Sequence, residues 1–396
     1  MGHEVKVSLS GSFLKGNVIN FKPDIIYLPW MTEKILRFFE SVNCKAILLN
    51  SYQEQNQLLD KKQNPHILQL QLSNHFFAWG DIYEERAKVI NPNINVHTVG
   101  VTRYDAYLDE DLKNTFFKSK KQLSKDFGIP YNTKWILFAY DYAILFKPDR
   151  IKKALDRGLK TQEYIDKSWI AFHRLSEWLK VLSKENPNVS FILRPHPGAP
   201  LEKIKEIQGL SNEEYENVFY NTSGSIGQWI VNCDRYVTRL SSSILEAWIA
   251  DVPTVSIFTD LRTKDIEGYM HLKACKNHIS TLDELSKFIN SPSTNSSFNE
   301  HRDFLEQKFG KLDGKSCFRT AEIIDKIAQE NIHKFAYSKN SISVDLKGIN
   351  FLVENNIKAF LNNNNLLQYT KWAESHTEYV SEYYIKSKEE LLRQFL

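Results

Sequence analysis

A chain of 396 residues is long enough for two to three domains. Hydrophobic residues make up 42% and charged residues 25%, which excludes a disordered or fibrous chain and fits a protein with a full core. Lys and Arg total 51 against 48 Asp and Glu, and the resulting +3 is too small to argue for nucleic acid as the main partner. Short apolar runs alternate with helical stretches, a pattern of parallel sheets with crossover helices. Strands are expected at 3–8, 25–28, 45–49, 76–79 and 96–99. Helices are expected at 32–41 and from Asp81, and 118–127 is a hydrophilic helix closed by Gly128-Ile129-Pro130. A domain boundary is expected there.

The second unit opens with a strand at 135–139. A long amphipathic helix follows at 161–185, capped by Thr161, with Tyr164, Ile165, Trp169, Phe172, Leu175, Trp178 and Leu179 on one face. Strands at 189–193, 218–220, 235–238 and 254–258 alternate with helices at 225–232 and 241–250, as in a Rossmann-like domain. The division expected is an N-terminal domain over 1–128, a C-terminal domain over 129–330 and a polar helical extension over 331–396. Gly2-His3-Glu4-Val5 stands where a nucleotide-sugar fold would already have passed its first strand and glycine-rich loop. The first domain is therefore expected to be trimmed, or the chain cut from something longer.

Cys44, Cys233, Cys275 and Cys317 are far apart and form no Cys-x-x-Cys pair. Neither a zinc site nor a disulfide framework is expected, and a reducing cytoplasm fits. Cys44 and Cys233 lie in apolar settings and read as buried thiols. No run approaches the ~20 apolar residues that span a bilayer, and the N-terminus lacks a secretory pattern. The expectation is a soluble cytoplasmic protein. Any peripheral contact with the inner membrane face would be weak, because so small a charge would not hold it there. Aromatic residues reach 13%, more in keeping with large core side chains than with stacking on bases or sugars.

The sharpest local signal is Arg194-Pro195-His196-Pro197 at the carboxyl end of a buried strand, where parallel sheets bind ligands. The prolines restrict the backbone, arginine suits a phosphate through paired hydrogen bonds, and histidine can donate a hydrogen bond or a proton to a departing phosphate. The alternative is a rigid turn with Arg194 in a salt bridge. Ser241-Ser242-Ser243, between a strand end and a helix start, offers hydroxyls and free N–H groups to an anion, beyond what a single capping serine needs. Glu246 either meets a ribose or complements the helix dipole. Thr222 and Ser223, in Asn221-Thr222-Ser223-Gly224-Ser225, either line the nucleotide pocket or form a turn. Catalytic carboxylates are less defined. Asp141 and Glu54 are the candidates for general base or nucleophile, and Asp105 is a third with a helix-cap reading favoured. No Asp-x-Asp pair stands at a strand end, so neither a metal nor another cofactor is required.

The run Arg194-Pro195-His196-Pro197, then Ser241-Ser242-Ser243-x-x-Glu246 and Val252-Pro253-Thr254-Val255, resembles the C-terminal half of bacterial surface-polysaccharide glycosyltransferases of the GT-B fold. The nearest likenesses are the β-Kdo transferases of capsule and O-antigen assembly. Bacterial sialyltransferases and polysialyltransferases that use CMP-sugars, and CDP-glycerol transferases of teichoic-acid assembly, share the plan. The segment ending Val99-Gly100-Val101-Thr102-Arg103-Tyr104-Asp105 looks like the end of the matching N-terminal domain. The likeness covers roughly residues 20–260 and implies two Rossmann-like domains facing a cleft. It further implies CMP-sugar as donor substrate, Kdo as the sugar and a growing surface glycan or glycolipid as acceptor. His196 and Ser241 to Ser243 would hold the CMP phosphate, with Glu246 on the ribose or cytosine side. The chain departs from the pattern at Asn50-Ser51-Tyr52-Gln53-Glu54, where such families often carry paired acids and a glycine. A nucleotide-sugar 2-epimerase of the same fold, or a non-catalytic glycan-assembly subunit, are the rival readings.

Overall fold

The computed structural model describes residues 3–5, 7, 18, 21–41, 44–52, 55, 68–71, 73–158, 160–196, 198–210, 213–257, 270–292 and 296–331. Glu54, Pro197 and the extension past Asn331 lie outside these residues. The chain divides into two compact units, one made of Met1–Thr102 with Gln307–Leu396, the other of Arg103–Glu306. Residues 103–127, expected with the first domain, pack in the second unit, where the Tyr107 hydroxyl and the Phe117 ring fill the space beside Gly227. Residues 307–330, expected with the second domain, pack in the first. There Phe309 meets Trp79 edge to face, and Arg319 Nε donates to the Val99 carbonyl at 2.9 Å.

The first unit carries four parallel strands, β1 (Ile25–Leu28), β2 (Ile47–Asn50), β3 (His75–Ala78) and β4 (Asn95–Thr98), in the order β1-β2-β3-β4. Each lies within two residues of its expected start. The helix Asp81–Ile90 sets Asp81 and Glu84 in its first turn and Lys88 in its last, the arrangement the helix dipole favours. The strand expected at 3–8 does not form over its described residues, His3, Glu4, Val5 and Val7. Instead His3 Nε2 lies 2.6 Å from the Asp325 carboxylate, a contact to a helix rather than a ladder.

The second unit holds six parallel strands, β5 (Lys134–Tyr140), β6 (Val189–Pro195), β7 (Val218–Tyr220), β8 (Arg235–Arg239), β9 (Thr254–Ile257) and β10 (His278–Ile279). Their order is β10-β9-β8-β5-β6-β7. Counted from β5 this is the doubly wound order, with reversal between β5 and β8. β5 and β6 are nearly continuous apolar runs, all seven residues of β6 are buried, and β8 is buried throughout although it carries Arg235, Thr238 and Arg239. β6 runs two residues past its expected end, since Arg194 pairs with Ala139 and Pro195 with Tyr140. Proline is tolerated there because a strand end needs no further N–H. Two parallel α/β sheets, of four and six strands, are the GT-B-like fold class expected from the sequence.

The helix Gln162–Glu185 is capped as expected, Thr161 Oγ1 accepting from the Tyr164 N–H at 3.2 Å. It buries Ile165, Phe172, Leu175 and Leu179 against Phe138, Phe191 and Leu193 of the sheet, with Tyr164, Trp169 and Trp178 half-buried at the margin. Trp135, Trp229 and Trp248 are fully buried, so these aromatics serve the core. Beyond β8, Asp251 adopts a left-handed backbone (φ 57°), and its Oδ1 accepts from Ser296 Oγ at 2.8 Å and the Phe298 N–H at 3.0 Å. All four cysteines are free. Cys275 is buried and Cys317 exposed, while Cys44 and Cys233 are half-buried as residues, and burial pushes the pKa of both thiols up, as their apolar neighbours led one to expect. Among the described residues no helix is long and apolar enough to cross a membrane.

Phe191 has no exposed surface and sits on β6, between β5 and β7. Phe191→Ala should lower stability by roughly 3–5 kcal/mol, read as a fall in urea midpoint with an unchanged slope.

Candidate functional site

Tyr140, the last residue of β5, pairs with Pro195 on one side and Arg239 on the other. The loops after β6 and β8 therefore leave one edge at the same level, two strand spacings or about 10 Å apart. The chain steps from β5 to β6 in one direction and from β8 to β9 in the other, so right-handed crossovers carry the following helices to opposite faces. A crevice is expected where the order reverses, between β5 and β8, the place where doubly wound sheets bind ligands, with the loop after β6 one strand to the side.

Arg194 ends β6 and is buried. Its Nη1 donates to the carbonyls of Ser223 (2.7 Å) and Asn221 (3.3 Å), and its Nη2 to those of Gly224 (2.9 Å) and Thr222 (3.5 Å). The guanidinium thus gathers four consecutive carbonyls and shapes the loop after β7. Asn221 Oδ1 takes the Ser223 N–H at 2.7 Å, Trp229 Nε1 donates to the Ser223 carbonyl at 3.0 Å, and Gly224 holds φ at 69°. Thr222 and Ser223 are brought next to Arg194 through their carbonyls, with their side chains half-buried.

His196 is exposed, just beyond the strand. Its Nδ1 accepts the Gly198 N–H at 3.0 Å, so the neutral ring carries its hydrogen on Nε2. The ring is thereby set as an outward donor. The composition gave no hint of a neighbour, Lys147: a Cβ built on Gly198 would lie 3.1 Å from Lys147 Nζ and 3.2 Å from His196 Nδ1.

On the other wall, β8 ends in Arg239, and Leu240 then takes a left-handed backbone (φ 62°) that costs a branched residue energy and turns the chain sharply. Ser243 Oγ is hydrogen-bonded to the Tyr236 hydroxyl and to Ser241 Oγ (2.6 Å), and the Ser243 N–H points at Ser241 Oγ at 3.3 Å. Ser242 is the exposed hydroxyl of the three. The helix expected at 241–250 begins only at Ile244, because this hydroxyl-linked turn takes its first three residues. Arg239, overlooked in the sequence, is almost fully buried. It donates to the Asp141 carbonyl (3.3 Å) and Ser168 Oγ (3.2 Å) and lies 4.4 Å from the Tyr142 ring centre.

Glu246 turns away from these hydroxyls towards helical residues 103–108, bonding to the Tyr107 hydroxyl near the Arg103 charge. Its Oε2 is buried without a hydrogen-bond partner, and burial raises its pKa above the ordinary 4.5 despite Arg103 and Tyr107. Asp141 is exposed at the end of β5, its Oδ1 accepting the Ala143 N–H at 3.1 Å in a local turn. Asp105 is buried inside the first turn of the helix Asp105–Leu108, whose cap position is Tyr104. In the first unit, Gln55, next to Glu54, clamps the end of β3: its Nε2 donates to the Phe77 carbonyl (2.8 Å) and its Oε1 takes the Trp79 N–H (2.9 Å). Among the described residues no group of three or more His, Cys, Asp or Glu side chains is placed to hold a metal ion.

The sequence matches no family model and no curated protein. Similar solved structures include the wall teichoic acid polymerase TagF, at 14% identity over 72% of this chain and 69% of that one, TM-score 0.47. The UDP-GlcNAc 2-epimerase from Methanocaldococcus jannaschii is similar at 16% identity over 79% and 80%, TM-score 0.49. A putative UDP-N-acetylglucosamine 2-epimerase from Listeria monocytogenes is similar at 13% over 80% and 78%, TM-score 0.48. At such identities and TM-scores the likeness assigns no activity to this chain.

Two outcomes test this arrangement. Arg194→Lys replaces a planar five-donor fork with a point charge and should cost about 2 kcal/mol, with faster amide exchange across 221–225. An unchanged exchange pattern there would contradict the role given to the guanidinium. For Glu246, a raised folded-state pKa means the native state holds the proton more tightly than the unfolded chain. That stabilising linkage is complete below about 4.5 and is lost as pH rises through the folded value. Glu246→Gln should therefore melt higher than the parent at pH 7, with the difference shrinking as pH falls towards 4.5.

Proposed function

We propose that the protein is a glycosyltransferase that moves a sugar from a nucleotide-activated donor, holding the donor's phosphate at the carboxyl edge of the six-stranded sheet. The observation that carries this reading is the fixed orientation of His196 at the carboxyl end of β6, one strand from the switch point. With Nδ1 engaged by a backbone N–H, the neutral ring offers Nε2–H outward, a donor suited to a departing phosphate. Ser242 and the N–H groups that follow Leu240 supply neutral donors from the opposite wall of the crevice. Arg194 contributes by holding the 221–225 loop in place.

In the reaction an acceptor hydroxyl attacks the anomeric carbon. The bond from that carbon to the phosphate oxygen breaks, and the phosphate leaves with its charge met by His196 Nε2–H. The acceptor's proton passes to a carboxylate, for which Asp141 and Glu54 are the candidates. Asp141 keeps one oxygen for this, the other being engaged by the Ala143 N–H. A CMP-sugar is the donor we favour, with Kdo as the sugar and a bacterial surface glycan as acceptor, on the resemblance carried by the Arg194–Pro197 and serine runs. The place of action would be the cytoplasmic face of the membrane. A 2-epimerase needs a base poised to abstract a proton, and the donor setting of His196 suits leaving-group stabilisation better.

CMP at a hundredfold excess over its dissociation constant should stabilise the protein by about 2.7 kcal/mol. In a thermal-shift panel of CMP, CDP, UDP and GDP, a preference for UDP or GDP would refute the cytidine assignment. His196→Ala should abolish transfer while the melting temperature stays within a few degrees, since the ring is exposed. Full activity in that variant removes His196 from the mechanism.

A further inference from the structure

Lys147 sits at the cap position of the helix Pro148–Asp156, just after the short turn Ala143–Phe146 that follows β5, and makes no side-chain capping bond there. A helix N-terminus is already a centre of positive potential, so a lysine is the wrong charge for this place unless an anion is to be met. The ammonium is half-buried, and among the described residues no carboxylate pairs with it. It lies beside His196, both Nζ and Nδ1 falling within 3.2 Å of the point that a Cβ on Gly198 would occupy. Gly198 has no left-handed backbone to demand glycine. A methyl group there would press on the ammonium and the imidazole, and both side-chain ends would have to give by a few tenths of an ångström.

We propose that Lys147 is a second ligand of the donor's phosphoryl group, its ammonium standing on the Nδ1 side of the His196 ring while Nε2–H meets another oxygen of the same group. This deepens the reading of the edge as a phosphate site and rests on it. Lys147 comes from the loop after β5 and His196 from the loop after β6, so the phosphoryl group is met from two strands by one full charge and one directed N–H. The ammonium supplies attraction without geometric demand, and the imidazole supplies direction.

Inorganic pyrophosphate, CDP and uncharged cytidine are the probes, titrated calorimetrically into the full chain and into Lys147→Gln, Gly198→Ala and Lys180→Gln. Lys180, paired with Glu177 near the far end of the helix Gln162–Glu185, is the control for loss of one charge. Lys147→Gln should weaken pyrophosphate and CDP by about tenfold, the loss of one charge-assisted hydrogen bond. Gly198→Ala should weaken both in the same direction, and Lys180→Gln neither. The cytidine response should be the same in all four proteins. Parent-like affinity of Lys147→Gln for pyrophosphate and CDP overturns the proposal and leaves the phosphate site standing, as does an equal loss in Lys180→Gln. A parent chain that binds neither pyrophosphate nor CDP brings down the phosphate site itself. If Lys147→Gln melts well below the parent, Lys147→Met is read by the same criteria.

Discussion

A guanidinium taken out of water must find acceptors for its N–H groups, and Arg194 finds them in four successive carbonyls of residues 221–224. Leaving such a charge unmet inside a protein would cost several kcal/mol, so the loop after β7 is obliged to wrap it. The wrapping in turn fixes the left-handed Gly224, the Asn221 turn and the approach of Trp229. One strand-end residue thereby sets the shape of a neighbouring loop, and His196, two positions on, leaves the sheet with its N–H still donating to the Tyr140 carbonyl at 3.2 Å. The alignment of Pro195 and Arg239 across Tyr140 does the rest, bringing two chemically different loops to a single level.

The strand-loop-helix rhythm of the second unit was legible because its strands are short apolar runs closed by polar turns, and the positions of β6, β7, β8 and β9 follow from it. The fate of Arg194 was not. Strand alternation reveals orientation only when one face of a sheet is wet, and here both faces are covered. The sequence offered an arginine beside a histidine at a strand end, which suits a phosphate equally whether both point outward or one turns in. The same limit hid Arg239, a charged residue closing a buried strand, and Lys147, whose nearness to His196 depends on two loops from different strands. Glu246 could not be placed either, since its partner Tyr107 lies in a segment far away in the chain.

The units are likewise decided by contacts that no local pattern announces. Gly128 does end a well-formed helix, Lys120–Phe127, opened by a reciprocal cap between Ser119 and Gln122. A helix end is a stopping point for the backbone, however, and not for the core. Tyr107 and Phe117 reach Gly227 because that glycine leaves a hollow on its helix, and this small void draws the preceding segment into the second unit. Trp79 and Phe309 do the corresponding thing for the first. Aromatic side chains carry out the partition in both cases, which accounts for some of their abundance.

The carboxylate of Asp251 closes a ring of chain. One oxygen receives both Ser296 and Phe298, so everything between them, including β9, β10 and the helix Leu282–Asn290, begins and ends at one pin. The entropy of closing such a ring grows only with the logarithm of its length. Residues added to the connections between these elements therefore cost little in closure entropy, while the pin holds the flanking backbone in register. The connections at this margin of the sheet can thus vary in length away from the edge where His196 and Ser242 stand.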